Sequence, residues 1–229
     1  MRIVFVRHGE PDYEHDCLTE TGRKQAAAAA ARLAGENITE IYSSPMGRAR
    51  ETAGFTAERL QLPVTVLDFM HEISWGGPDI PDGGHPWTLS SRMMAGEGFD
   101  FYKEDWREHP YFKNNAAAAY YDRVGACFDE FLASTQGYRQ EGTRFFCTAD
   151  KQKTIAVFSH GGSCGCVLAR LLSLPFPYVT AVLPFEFTSV IILSFPVRMN
   201  EYVHPRVELF NDAAHTSGIS RGLRFQEKP

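Results

Sequence analysis

Two histidines occupy matching places in this chain: His8 in Arg7-His8-Gly9-Glu10 and His160 in Ser159-His160-Gly161-Gly162. Histidine is the side chain most easily poised near neutral pH. The arginine beside His8 offers a planar fork of donors that suits phosphate or carboxylate. The glycines let backbone approach a ligand closely. Together these residue types point to capture of an oxyanion, with nucleophilic or acid-base chemistry on it. One such run alone would also pass for a charged surface turn, so the weight lies in its repetition.

Each histidine follows a short apolar run. Ile3-Val4-Phe5-Val6 and Ile155-Ala156-Val157-Phe158 are short apolar runs of the kind found in strands buried on both faces of a parallel sheet. Ligands of open α/β sheets bind beyond the carboxyl ends of such strands. If both strands share one parallel sheet, both histidines open onto one edge. Val167 to Leu172 reads as a helix after the second run, which places His160 near free N–H groups and the positive end of a helix dipole.

Other segments follow in order. Thr19 or Thr21 is expected to cap a helix carrying Ala26, Ala29, Ala30 and Leu33 on one stripe, with Gly35 at its end and Arg23, Lys24 and Arg32 solvated. Ile38 to Tyr42 reads as a strand. Ser44 as N-cap and Pro45 at the first helical position then start a helix that holds Arg48 in its first turn. A cation there opposes the helix dipole, which makes sense if an anion binds beside it. Pro63 to Leu67 reads as a strand leading to Glu72, with His71, Asp79 and Asp82 as lesser acids or bases. Trp75 is the apolar neighbour expected to raise the pKa of Glu72 by desolvation.

From about 76 to 115 the periodicity breaks. Gly-Pro-Asp-Ile-Pro-Asp-Gly-Gly is loop chemistry, and aromatics follow without clean spacing. This stretch is expected to be an insertion at the sheet's carboxyl edge, a lid or wall of the substrate pocket, within one domain spanning residues 1–229. Its aromatics could equally form a small satellite core. Ala116 to Leu132 reads as a helix, residues 136–153 as an irregular surface excursion, and Phe187 to Phe195 as a strand. Tyr202 to Phe210 reads as an edge strand interrupted by Pro205.

The blocks Arg7-His8-Gly9-Glu10, Leu18-Thr19 with Gly22 and Gln25-Ala26, Ser44-Pro45 with Arg48-Ala49 and Thr52-Ala53, Glu72, and Ser159-His160-Gly161-Gly162 resemble the histidine phosphatase superfamily, in its phosphoglycerate mutase-like branch. Asn211-Asp212 with His215 also fits. The resemblance implies a three-layer α/β/α sandwich with a mostly parallel sheet. It implies that His8 takes the phosphoryl group as a phosphohistidine, splitting one hard displacement into two easier ones. Arg7, Arg48, His160 and backbone N–H groups near Gly161 would neutralise the non-bridging oxygens. Glu72 would protonate the leaving oxygen and then activate water. His215 would hold the loop near the site. A second glutamate common in the family after the tryptophan is replaced by Gly76, which leaves Glu72 as the candidate acid.

The resemblance favours a histidine acid phosphatase-type phosphomonoesterase over a mutase. The loop Pro11 to Asp16 is short and lacks the Trp-Asn of mutases, and Gly162 stands where mutases tend to carry Asn. Phosphoglycerate mutase-type transfer and a non-catalytic phosphate-binding regulatory role are the alternatives.

Composition sets outer bounds. The 229 residues are 44% apolar and 22% charged, ordinary for a globular chain. A net charge of −5 gives no support to nucleic acid or an anionic membrane as partner, so an anionic small-molecule substrate must be captured by local cations. No apolar run approaches the roughly 20 residues of a membrane span. Met1-Arg2 leads into a short strand, not the long apolar core of a signal peptide. The five cysteines, an odd number, argue against a disulfide framework and for a cytoplasmic location. No cofactor is expected, and no cluster shows metal-ligand spacing. Oligomeric state and the identity of the phosphorylated substrate are not readable.

Overall fold

A computed structural model of the chain describes residues 1–78, 80–89, 94–95 and 98–219, with backbone alone at Pro81 and Asp82. The sheet is built from β1 (Arg2–Arg7), β4 (Ile38–Ser43), β5 (Val64–Val66), β8 (Thr154–Ser159), β9 (Val190–Ser194) and β11 (Arg206–Asp212), in the order β11-β9-β1-β8-β4-β5. β1, β8, β4 and β5 run parallel, while β9 is antiparallel to both β1 and β11. The expected mostly parallel sheet is therefore present, and β2 (Pro11–Asp12) with β3 (Cys17–Leu18) forms a separate two-stranded ribbon.

Alternation along β1 divides the core into two layers. Ile3 and Phe5 face one side with Ile155 and Val157, against Val124 and Phe128 of α3 (Ala116–Phe131) and Val167, Leu168 and Leu171 of α4 (Gly161–Leu172). Val4 and Val6 face the other with Ala156 and Phe158, against Leu33 of α1 (Glu20–Leu33) and Ala53 of α2 (Gly47–Leu60). Both strands are covered on both faces, which is why their sequences read as unbroken apolar runs. α5 (Phe176–Val182) packs on α4.

Several boundaries differ from the sequence reading, each for a physical reason. Helix α1 is capped by Thr19, whose hydroxyl accepts from the Gly22 N–H, and it ends at Leu33 with the left-handed residue at Asn37 rather than Gly35. Arg32 is not simply solvated: it pairs with Asp212 of β11 at 3.0 Å and with Glu36. Helix α2 begins at Gly47, two residues after the expected start, and Ser44 does not cap it. The excursion at 136–153 folds into a hairpin, β6 (Tyr138–Glu141) and β7 (Arg144–Cys147), which buries Tyr138, Phe145 and Cys147. Pro205 divides the expected strand: β10 (Tyr202–Val203) joins this hairpin, and only β11 reaches the main sheet. The strand expected from Phe187 starts at Val190, because Thr188 takes a left-handed φ of 56°.

Within 76–115 the chain forms short 3-10 turns, among them Pro81–Gly84, Pro86–Thr88 and Trp106–Glu108. Phe101, Trp106, Tyr111 and Phe112 are buried, and Trp106 packs on Phe112, on Tyr121 of α3 and on Phe176 of α5. These aromatics do not form a satellite core: they are continuous with the core layer of Ile3 and Phe5. Trp75, His85 and Trp87 pack on one another at its margin, where Trp87 lies against that layer. No helix among the described residues is long and apolar enough to cross a membrane.

Candidate active site

In-register pairing of β1 and β8, Arg7 against Ser159, delivers the two His-Gly runs at one level of the sheet's carboxyl edge. The His8 and His160 ring centroids lie 5.1 Å apart. The loop of His8 is pressed onto the start of α1: a Cβ on Gly9 would stand 2.6 Å from the Gly22 carbonyl oxygen, so backbone meets backbone here and glycine is required. Gly9 N–H donates to Thr52 Oγ1 at 3.1 Å and Glu10 N–H to Gln25 Oε1 at 2.8 Å. From the other side, Thr188 N–H donates to the carbonyls of Arg7 and His8. His215 Nε2 lies 3.1 Å from Thr188 Oγ1, and Asn211 Oδ1 accepts from the Glu186 N–H at 2.9 Å. The last strand and its turn thus fix the loop of His8.

His8 is 1% exposed. Its Nδ1 lies 2.7 Å from the Gly9 carbonyl oxygen, which can only accept. The ring proton therefore sits on Nδ1, and Nε2 keeps its lone pair. Burial, then the charge of Arg7, lowers the pKa to about 3, so the ring is a neutral base near pH 7. Arg48 Nε lies 3.4 Å from His8 Nε2.

His160 is fully buried, with Nε2 at 2.7 Å from Ser44 Oγ. That oxygen already accepts from the Met46 N–H at 3.2 Å. When the Ser44 hydroxyl donates to Nε2, the His160 ring proton sits on Nδ1; in the other tautomer Nε2 donates to the hydroxyl. Nδ1 is buried and has no hydrogen-bond partner among the described residues. Burial first, then His8 and Arg48, holds the pKa of His160 well below its usual value.

Arg7 lies over the Phe187 ring at 4.3 Å and donates to the Phe185 carbonyl, while its buried Nε has no partner among the described residues. Arg48, 5% exposed, is held by Asp16 Oδ1 at 2.5 Å. Asp16 Oδ2 accepts from the Gly47 N–H at 2.6 Å. One carboxylate from the loop between β1 and α1 therefore caps α2 and offsets the cation at the helix's positive end. The sequence reading missed Asp16 and gave Ser44 the capping role.

Glu72 Oε1 accepts from Ile73 N–H at 3.0 Å, Gly162 N–H at 3.1 Å and Ser163 N–H at 3.3 Å. Burial raises its pKa above the usual carboxylate range, against the opposing pull of these donors and of Arg7. Trp75 points elsewhere: it is 40% exposed and packs on His85 and Trp87. The Gly162 N–H is engaged by Glu72, which leaves Gly161 as the N–H of that pair not taken by the carboxylate. His71 directs Nδ1 to the Glu72 carbonyl and meets Tyr120 edge to face. Asp79 and the side chain of Asp82 lie outside the described residues. His8, His160, Arg7, Arg48 and Glu72 thus converge on one edge.

A family model described as the histidine phosphatase superfamily (branch 1) matches residues 3–206. Phosphoserine phosphatase 1 of Hydrogenobacter thermophilus is 30% identical over 146 residues, 57% of this chain and 64% of that protein. The 2,3-bisphosphoglycerate-dependent phosphoglycerate mutase of Thermoplasma acidophilum is 36% identical over 83 residues, 32% of this chain and 42% of that one. The match thus spans less than two thirds of either curated relative. A mycobacterial glucosyl-3-phosphoglycerate phosphatase structure superposes with a TM-score of 0.61 at 25% identity, over 92% of this chain and 98% of that one.

Proposed function

The chain belongs to the histidine phosphatase superfamily, and from that premise we propose that it is a metal-independent phosphomonoester hydrolase working through a phosphohistidine on His8. The observation that carries this reading is the pairing of a neutral, Nδ1-protonated His8 with a carboxyl whose pKa is raised, Glu72, on one sheet edge.

In the first step His8 Nε2 bonds to phosphorus as the ester oxygen departs. The departing oxygen takes the proton held by Glu72, which is carried at a pH where an ordinary glutamate has lost it. Arg7, Arg48 and the His160 Nδ1–H hold the non-bridging oxygens, where charge concentrates. In the second step the Glu72 carboxylate takes a proton from water, whose oxygen attacks the phosphoryl group. His8 leaves as the neutral ring, and phosphate is released. The arginines supply the charge that a metal supplies elsewhere.

Phosphate release from a panel of phosphomonoesters, with chelator present, tests the reading. Wild-type release that is lost in His8→Ala supports it. Transfer between glycerate positions without net hydrolysis would support mutase chemistry, and neither activity would support a phosphate-binding role. The short loop Pro11 to Asp16 and Gly162 favour hydrolysis. No membrane or nucleic-acid partner is invoked, and the working compartment is proposed to be the cytoplasm.

A further inference from the structure

Glu72 and Trp87 flank the same pair of glycines at the start of α4. A Cβ on Gly162 would stand 2.5 Å from Glu72 Oε1, and one on Gly161 would stand 3.3 Å from Trp87 Nε1. The proposed proton donor and the edge of an indole ring therefore border consecutive residues of α4. Trp75, three positions after Glu72 in the chain, packs its ring on Trp87 at 5.4 Å between centroids. His85 closes the group at 4.3 Å from Trp75 and 4.6 Å from Trp87.

This group lies at the margin of the core, against which Trp87 packs. Its backbone is pinned: Tyr111 Oη donates to the His85 carbonyl at 2.7 Å, and Thr88 Oγ1 donates to the same oxygen at 2.9 Å. Trp75 nevertheless keeps 40% of its surface open, unlike Trp106, which is 6% exposed. Through Trp87, an open aromatic surface thus continues outward from Gly161 at the start of α4. Burial holds the His85 pKa below its usual value, so this wall carries no charge near pH 7.

We propose that Trp75, His85 and Trp87 form the leaving-group subsite, and that the preferred substrates are phosphomonoesters whose alcohol carries a flat aromatic or heteroaromatic ring close to the ester oxygen. The proposal rests on the phosphatase reading. It assigns the stretch following Glu72 the role of specificity wall. Aromatic rings pair by offset or edge-to-face contact, which an uncharged wall of this kind offers and a puckered aliphatic ring satisfies less well.

The test compares benzyl phosphate with cyclohexylmethyl phosphate. Their leaving alcohols are close in size and acidity, so the ratio of kcat/KM values isolates ring flatness from leaving-group chemistry. Wild type should prefer the benzyl ester by roughly 2- to 10-fold, the worth of one aromatic pair. Trp87→Ala and, separately, Trp75→Ala should move that ratio toward one, and Trp87→Phe should restore most of it. Trp75→Ala tests the wall through an exposed side chain, so the result does not hang on the folding of the Trp87 variant. Hydrolysis of both esters at equal kcat/KM by wild type would overturn the subsite and leave the phosphatase reading standing. Release from neither ester, nor from any simple alkyl or aryl phosphate, would overturn both.

Discussion

At the scale of single residues, the site is a problem of placing protons on particular atoms. The Gly9 carbonyl puts the His8 proton on Nδ1, and the proposed mechanism requires the Ser44 hydroxyl to donate to His160 Nε2 so that this ring too is protonated on Nδ1. Ser44→Ala should therefore lower kcat by roughly 10-fold or more, with Ser44→Thr recovering much of it, since one charge-stabilising donor loses its fixed orientation. The 15N shifts of His160 should move away from the Nδ1–H tautomer in Ser44→Ala and return in Ser44→Thr. The pH profile follows from the two shifted groups. His8 becomes protonated only as pH falls toward about 3, so kcat/KM should hold at mildly acidic pH and drop there. Glu72 must be protonated for the first step, so with alkyl esters the rate should fall as pH rises past its raised pKa. Glu72→Gln should remove that alkaline limb and slow alkyl esters far more than aryl esters, whose oxygen leaves without a proton. The placement of His8, Arg7 and His160 on one sheet edge was legible because each sits in a contiguous run with a local signature, whereas Arg48 and Glu72 were singled out chiefly by resemblance to the family's blocks. Asp16 and the true role of Ser44 were not, because each acts through a partner far along the chain, Arg48 and His160, and no local spacing encodes that.

At the scale of elements, the junction of β8 and α4 is the tightest point. Gly162→Ala would place its methyl 2.5 Å from both Glu72 Oε1 and Ile73 Cγ1. The neighbours must move, so a loss of about 1–3 kcal/mol of stability is expected, measurable by denaturant melting, together with loss of the proton donor's alignment. Helix α2 offers a second case. It has no cap from its own N-cap residue, Met46, and borrows Asp16 instead. Asp16→Ala should destabilise the fold by about 1 kcal/mol, as loss of a helix cap does, and should raise KM because Arg48 loses its anchor. The strands β1 and β8 were legible because apolar runs of that length have few other homes, and β4 because Ile38, Ile41 and Tyr42 mark a short β-branched and aromatic segment. The hairpin β6–β7 was not, since a polar stretch from Arg139 to Arg144 separates Tyr138 from Phe145, and Pro205 hid a change of sheet between β10 and β11.

For the molecule as a whole, burying neutral histidines ties stability to pH. His8 has a folded pKa near 3 against an ordinary 6.5, so between these values the unfolded chain binds more protons than the folded one. The stabilising contribution is complete above about 6.5 and is lost as pH falls toward about 3. Wild type should thus lose more Tm between pH 7 and pH 5 than His8→Ala does, whatever the offset between them at pH 7. Global charge does not help substrate capture, since the chain carries −5; raising salt should weaken phosphate binding only to the extent that Arg7 and Arg48 are screened. The central claim is the covalent step on His8. Mixing enzyme with a phosphomonoester, quenching in alkali where phosphohistidine survives, and mapping the phosphoryl group by mass spectrometry tests it most directly. The expected result is one phosphoryl group on His8, enriched in Glu72→Gln reacted with an aryl ester, where water is no longer activated. Steady hydrolysis with no phosphoryl group on His8 in either protein would contradict the account.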